Sequence, residues 1–333
     1  MTPHTPPPAP HASGTTAGPA APEPGQEPGV PVTGEQYELS AGTYRAVVTG
    51  LGAGLRELSR DGTPVLLSYP PDELPPFADG QLLTPWPNRV DHGRYHFRGA
   101  NYQLDISEIG NGNAIHGLTR FAAWALTRHE PDRVVLRHVP HGYAGYPFSL
   151  EIAAEYRLTA AAGLQVTISA ANRGTRAAPY GFGQHPYLTA GPAALDEWEL
   201  TLPTTQWLPL DRRGIPSGPV QDIAGTDGDF RQPRAIGGTQ LDHAFTGLLR
   251  ESDGRAWAHL RSAGSRVSLW AGPGCPWLQV FTSDPLGGER HRKAISIEPM
   301  TCPPNAFVSG DDLIVLEPGE TVSHSWGIQA SLT

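Results

Sequence analysis

The runs SLEIAAEYRL (residues 149–158) and LQVTISAA (164–171) alternate apolar with polar or small residues, position by position. Successive side chains of a strand point to opposite faces, so a period of two with one apolar face reads as a half-buried β-strand. The reading extends outward in both directions. From about residue 36 onward, short alternating or apolar runs follow one another between turn residues, among them YRAVVTG, VLLSY, RVVLRHV, WELTL, AWAHL, RVSLWA, WLQVFT, AISIEP, LIVLEPGE and VSHSWGIQ. RYHF and YQLD flank Arg98-Gly99-Ala100-Asn101, a hairpin signal with glycine in the turn. More than ten strands with no helix of comparable strength between them predict an all-β fold, a large antiparallel β-sandwich. No repeat period is present, which disfavours a propeller or solenoid.

Composition points the same way. With 39 Gly and 35 Pro among 333 residues, and Lys293 the single lysine, a helix-rich fold would have to be built against local propensity. Residues 1–34 hold ten prolines, with no Lys or Arg. Such a stretch cannot bury enough apolar surface to offset its ordering entropy, so a disordered tail over 1–34 and one β-sandwich domain over 35–333 are predicted. The tail lacks the basic start and apolar core of a signal peptide, and no apolar run is long enough to span a membrane. A soluble, cytoplasmic protein without a membrane partner is expected, as monomer or homodimer. A formal charge of −9 and no Lys/Arg cluster argue against nucleic acid as a partner. Cys275 and Cys302 are too few and too far apart for a disulfide framework or a zinc site.

Five places carry polar residues that a plain sandwich does not need. In PWPNRVDHG (85–93) two prolines rule out a central strand and leave a rigid connection presenting Trp86, Asn88 and Arg89. An aromatic beside Asn and Arg suits a pyranose, which has an apolar face and hydroxyl groups. NGNAIHGLTR (111–120) sets His116 before a glycine, and YGFGQHPYL (180–188) sets His185 between glycines and a proline. In TQLDHAFTG (239–247), Asp242 and His243 face opposite sides if the segment is extended, so one of them can enter a shared site. In AISIEPMTCPPNAF (294–307), Glu298 ends a strand of apolar alternation. A carboxylate desolvated there has a raised pKa, as a general base at neutral pH requires. Each of the five also admits a structural reading: a loop arginine paired with a carboxylate, a packed histidine, an Asx turn at Asp242, a strand-end glutamate. Gly93 and the strand-like RYHF argue against a zinc helix through His92 and His96, and no nucleophile elbow or phosphate loop occurs.

Taken together, PNRV, NAIHG, QHPYL, LDHAF and SIEPM resemble the aldose 1-epimerase, or galactose mutarotase-like, family, in the order that family presents them and over residues 36–331. The resemblance implies a large twisted β-sandwich with an open cleft across one sheet, a free sugar as partner, and no metal or organic cofactor. Carried over by position, Glu298 resembles the general base and His185 the general acid. His116 resembles the histidine that contacts the sugar near its ring oxygen. Arg89 and Asp242 resemble the residues that hold hydroxyl groups, and Asn88 and Gln279 line the same cleft. HPYL, PWPNRV and HGLTRFAAW look closer to a bacterial subgroup of the family, which leaves the reaction intact and the preferred sugar open, whether neutral, phosphorylated or sulfonated.

The residue types suit the chemistry. Mutarotation takes a proton from the anomeric hydroxyl and gives one to the ring oxygen, opening the ring to an aldehyde that recloses on the other face. A carboxylate and an imidazole can each act in either direction. Two other readings stay in play: a glycoside hydrolase with Asp242 and Glu298 as its carboxylates, and a carbohydrate-binding protein without turnover.

Overall fold

The alternation that opens the sequence reading is realised as two ten-residue antiparallel strands, Leu150–Thr159 and Gly163–Asn172. Their register pairs Ile152 with Ala170, Ala154 with Ile168 and Tyr156 with Val166, so one face of the pair is continuously buried. These strands lie within a nine-stranded antiparallel sheet. Its order is Ala125–Glu130, Arg133–His138, Leu150–Thr159, Gly163–Asn172, Thr321–Leu332, Ser265–Ala271, Ala256–Ser262, Glu199–Thr201 and Arg234–Ala235. The long C-terminal strand in its middle pairs on both sides.

A second, eight-stranded sheet runs Gln221–Asp222, Gln206–Leu208, Asp242–Thr246, Trp277–Phe281, Ile295–Met300, Gly183–Gln184 and Leu82–Leu83, with Tyr187–Leu188 also pairing Ile295–Met300. Its Phe245, Leu278, Val280, Ile295 and Ile297 join Ile152, Ile168, Leu269 and Trp326 of the larger sheet in one apolar core. Each such Leu, Ile or Val side chain contributes roughly 1.5–3 kcal/mol by leaving water. Strands of the second sheet therefore bury one face in this core and turn the other away from it, and the polar residues gather on the outer face. A four-stranded sheet, Gln36–Ala41 through Thr63–Pro64, adds Leu39, Tyr44, Val48 and Leu55 to the same core.

The computed structural model describes residues 29–332. Residues 1–28 of the tail expected over 1–34 lie outside the described residues. Its last positions are a correction to the predicted boundary: Thr33 is fully buried, its hydroxyl donates to the Pro71 carbonyl at 2.7 Å, and its own carbonyl accepts from Leu51 N–H at 2.9 Å. A few specific hydrogen bonds hold a Pro-rich segment that composition alone assigns to disorder. The hairpin after RYHF is also tighter than its sequence suggests. Arg94–Phe97 and Ala100–Gln103 are joined by Arg98 and Gly99 alone, both at positive φ (47° and 83°), the backbone twist that two-residue hairpins favour. Cys275 and Cys302 are free and buried. Among the described residues no helix is long and apolar enough to cross a membrane.

Candidate active site

The site is positioned by sheet register. Gly183 pairs with Met300 and Tyr187 with Ser296, both on the antiparallel strand Ile295–Met300. Counting inward from either pair sets His185 opposite Glu298. The ladder is interrupted there, at His185-Pro186, and the imidazole Nε2 lies 3.2 Å from Glu298 Oε1. On the other side of the same strand Gln279 pairs with Glu298. Gln279, Glu298 and His185 thus form a row across the outer face of the sheet, far apart in sequence and adjacent in space.

The neighbouring residue holds this row against the core. Gln184 points the opposite way from His185, into the space between the sheets. Its amide donates to Gly80 O (3.0 Å) and Tyr156 Oη (2.9 Å), and its carbonyl accepts from Trp326 Nε1 (3.1 Å). Tyr156 and Trp326 belong to the nine-stranded sheet, so the segment carrying His185 is tied to both sheets.

His116 and Asn88 lock each other. Asn88 N–H donates to His116 Nδ1 (3.2 Å) while His116 N–H donates to Asn88 O (2.8 Å), both residues at positive φ. An acceptor Nδ1 places the ring proton on Nε2, so His116 is a neutral donor. Burial, with Arg120, His185 and Arg89 nearby, holds it well below the usual histidine range. Its ring meets His185 edge to face at 5.6 Å.

Arg89 lines the cleft and is also the loop arginine paired with a carboxylate. Its Nε and Nη2 grip Glu108 in a fork at 2.9–3.1 Å, and Nη1 reaches Asn88 Oδ1 at 3.3 Å. The planar guanidinium lies close under Gly214, where an added Cβ would come within 2.5–2.8 Å of it and φ is +73°. Only glycine fits there. Asp242 accepts from Gln279 Nε2 at 2.6 Å, and His243 points away and stacks on Trp207 at 4.7 Å. The alternation across Asp242 and His243 is thereby resolved in favour of the aspartate.

All seven residues singled out from sequence, His185, Glu298, His116, Arg89, Asp242, Asn88 and Gln279, line one open cleft of about 370 Å³. That volume lies at the lower end of the roughly 300–1,000 Å³ typical of small-molecule sites. His185 is 6% exposed and Glu298 1%. Burial pushes Glu298 well above the usual carboxylate range, with Asp242 adding to the shift and Arg89 and Ser296 opposing it. Burial also pushes His185 down to about 3. Burial thus disfavours charge on either group, and Oε1 and Nε2 stand close enough to share a proton. Glu298 Oε2 and Gln279 Oε1 are buried with no hydrogen-bond partner among the described residues.

Two sequence expectations need correction. Trp86 is not presented to a ligand: it is 3% exposed, packed against Phe307 and Tyr146 in the core. The aromatics on the cleft are Phe77, Phe121, Tyr187 and Phe281. Glu298 does not end its strand, which runs on through Pro299 to Met300. A proline is tolerated at this interior position beside the interruption in the neighbouring strand, where the ladder asks for no N–H.

Other residues were not singled out. Tyr187 stacks on His185 at 4.9 Å, and its place two residues on, on the same face, was a usable signal. Ser296 stands in the same relation to Glu298. Arg120 lines the cleft with no carboxylate partner among the described residues, and burial lowers it to about 10. Nothing local in HGLTRF distinguishes it from a surface arginine.

The chain matches the sequence model of the family described as Aldose 1-epimerase over residues 35–329. It is 38% identical to the Escherichia coli (strain K12) protein YihR, described as uncharacterized, over 293 residues that cover 86% of this chain and 91% of that one. Similarity to the aldose 1-epimerase of Escherichia coli (strain K12) is 28% identity over 232 residues, 64% of this chain and 65% of that one. The crystal structure of the GalM/aldose epimerase homologue from C. elegans superposes with a TM-score of 0.81 over 90% of this chain and 99% of that chain, at 18% identity, a likeness of fold.

Proposed function

Because the chain belongs to the aldose 1-epimerase family, a family of isomerases, we propose that it interconverts the α and β anomers of a free aldohexose with Glu298 and His185 as its proton-transfer pair. The observation that carries this reading is the buried contact of 3.2 Å between Nε2 and Oε1 at the wall of a sugar-sized cleft. Moving the shared proton from Oε1 to Nε2 turns the resting pair into carboxylate and imidazolium. The carboxylate then takes the proton of the anomeric hydroxyl while Nε2–H protonates the ring oxygen; the bond between C1 and the ring oxygen breaks and the aldehyde forms. Rotation about C1–C2 and the reverse transfers close the ring on the other face and restore the pair. His116, a fixed neutral donor, directs Nε2–H at the substrate, and Arg89, Asn88, Asp242 and Gln279 hold hydroxyl groups. A cytoplasmic setting belongs to the same proposal.

The test is NMR exchange between anomers across neutral, phosphorylated and sulfonated hexoses. Acceptance of charged hexoses would act through Arg120. Accelerated exchange on at least one hexose is expected; binding without acceleration would leave a carbohydrate-binding protein, and release of the aryl alcohol from an aryl glycoside at an enzymatic rate would favour the hydrolase.

The shared proton makes a pH prediction. Above the pH at which His185 takes a second proton, near 3, and below the raised value of Glu298, the pair keeps one proton and its working state. kcat/KM is expected to show no limb at the ordinary imidazole value of about 6.5. A limb centred at the ordinary imidazole value would contradict the burial-driven depression of His185. For Arg89→Ala, KM is expected to rise more than kcat falls, because hydroxyl contacts act in ground and transition states alike. Initial rates against sugar concentration check this, and a defect confined to kcat would remove the binding role.

A further inference from the structure

We infer that Ser296 is a positioning residue that fixes the ring tautomer of His185, holding the proton on Nδ1 so that Nε2 is the only nitrogen able to exchange a proton with Glu298 and substrate. The inference rests on the roles proposed for His185 and Glu298 and concerns a residue those roles do not include.

Ser296 Oγ lies 2.9 Å from His185 Nδ1, 3.0 Å from the Pro186 carbonyl and 3.5 Å from Glu298 Oε1. A carbonyl can only accept, so at 3.0 Å the hydroxyl proton belongs to Pro186 O; pointing it at Nδ1 instead would leave two lone-pair atoms face to face. Oγ is then an acceptor toward the ring, and Nδ1 must carry hydrogen. The chain of donors runs from Nδ1–H to Ser296 Oγ–H to Pro186 O, and it is the same whether the catalytic proton sits on Oε1 or on Nε2. Ser296 is fully buried and lies off the cleft, so it acts through His185 rather than on the sugar.

The opposite arrangement at His116 shows what this accomplishes. There a backbone N–H occupies Nδ1 and fixes the proton on Nε2. Two histidines 5.6 Å apart are thus set in opposite tautomers by their surroundings, one to exchange a proton and one only to donate a hydrogen bond. Ser296 reaches Nδ1 because it sits two residues before Glu298 on the same strand face and pairs directly with Tyr187, two residues after His185.

The experiment uses the full chain, ¹⁵N-labelled, with His185 assigned by its loss in His185→Asn. Wild type is expected to show a protonated-type Nδ1 and an unprotonated-type Nε2. Ser296→Ala should shift the ring toward the other tautomer and lower kcat roughly 10- to 100-fold, with KM within about twofold, as for loss of an orienting partner in other sites. Ser296→Thr keeps the hydroxyl and should retain the Nδ1 proton and most of the activity. Ser296→Ala with wild-type kcat, or with Nδ1 still protonated, would overturn the inference. A wild-type protein that anomerises no hexose would defeat the proposed reaction instead, while the nitrogen shifts would still decide the tautomer.

Discussion

Glu298→Gln is expected to lower turnover by on the order of 10²–10⁴-fold, the usual contribution of a positioned acid or base, with the melting temperature close to that of the wild type. The second half follows from the resting state. Burial shifts Glu298 toward its protonated form, and an amide of the same shape resembles that form, with an N–H₂ able to donate to His185 Nε2. What the amide cannot do is surrender a proton to the imidazole and then accept one from the anomeric hydroxyl. Anomer exchange followed by NMR, beside a thermal melt, separates the two effects. Turnover within a few-fold of wild type would move the base elsewhere, with Asp242 the next carboxylate on the cleft.

His185→Asn is expected to cost turnover on a similar scale, 10²–10⁴-fold, together with a measurable loss of stability. Asparagine is shorter than histidine, so it abandons Glu298 Oε1 and Ser296 Oγ and the stack on Tyr187. Buried polar groups left without partners typically cost about 1–3 kcal/mol each. Urea denaturation should therefore show a lower midpoint for His185→Asn than for Glu298→Gln at comparable loss of activity. Equal midpoints would mean that the row of buried polar groups is less interdependent than the distances imply.

Much of the architecture was legible because it depends on local alternation. A period of two over residues 149–158 needs no knowledge of the partner strand to declare which face is buried. Identities within the cleft were legible for another reason: His185, Glu298 and Arg89 are costly residues in an apolar pattern, and the order of their motifs resembles one family. What remained hidden depends on register and on long-range packing. The pairing that sets His185 opposite Glu298 joins segments 113 residues apart, and no local signal states that alignment. Trp86 looked like a sugar platform because its neighbours in the chain are polar; its neighbours in space, Phe307 and Tyr146, are not. Thr33 looked disordered because its anchor, Pro71, lies beyond the reach of composition. Ser296 was within reach of the alternation rule, being on the same face as Glu298, and a serine in a buried strand carries no chemical mark of its own.

The anchoring of Gln184 reaches beyond local stability. Side chains alternate along a strand, so sliding the segment 183–188 by a single position against Ile295–Met300 would bury the imidazole between the sheets and expose an amide in its place. Such a protein would keep its β content and most of its compactness while losing the proposed proton-transfer pair. The three bonds from Gln184 to Gly80, Tyr156 and Trp326 penalise that misalignment; under the roles proposed for His185 and Glu298 a slipped fraction would lower specific activity while leaving circular dichroism unchanged, and weakening the amide's grip should enlarge it.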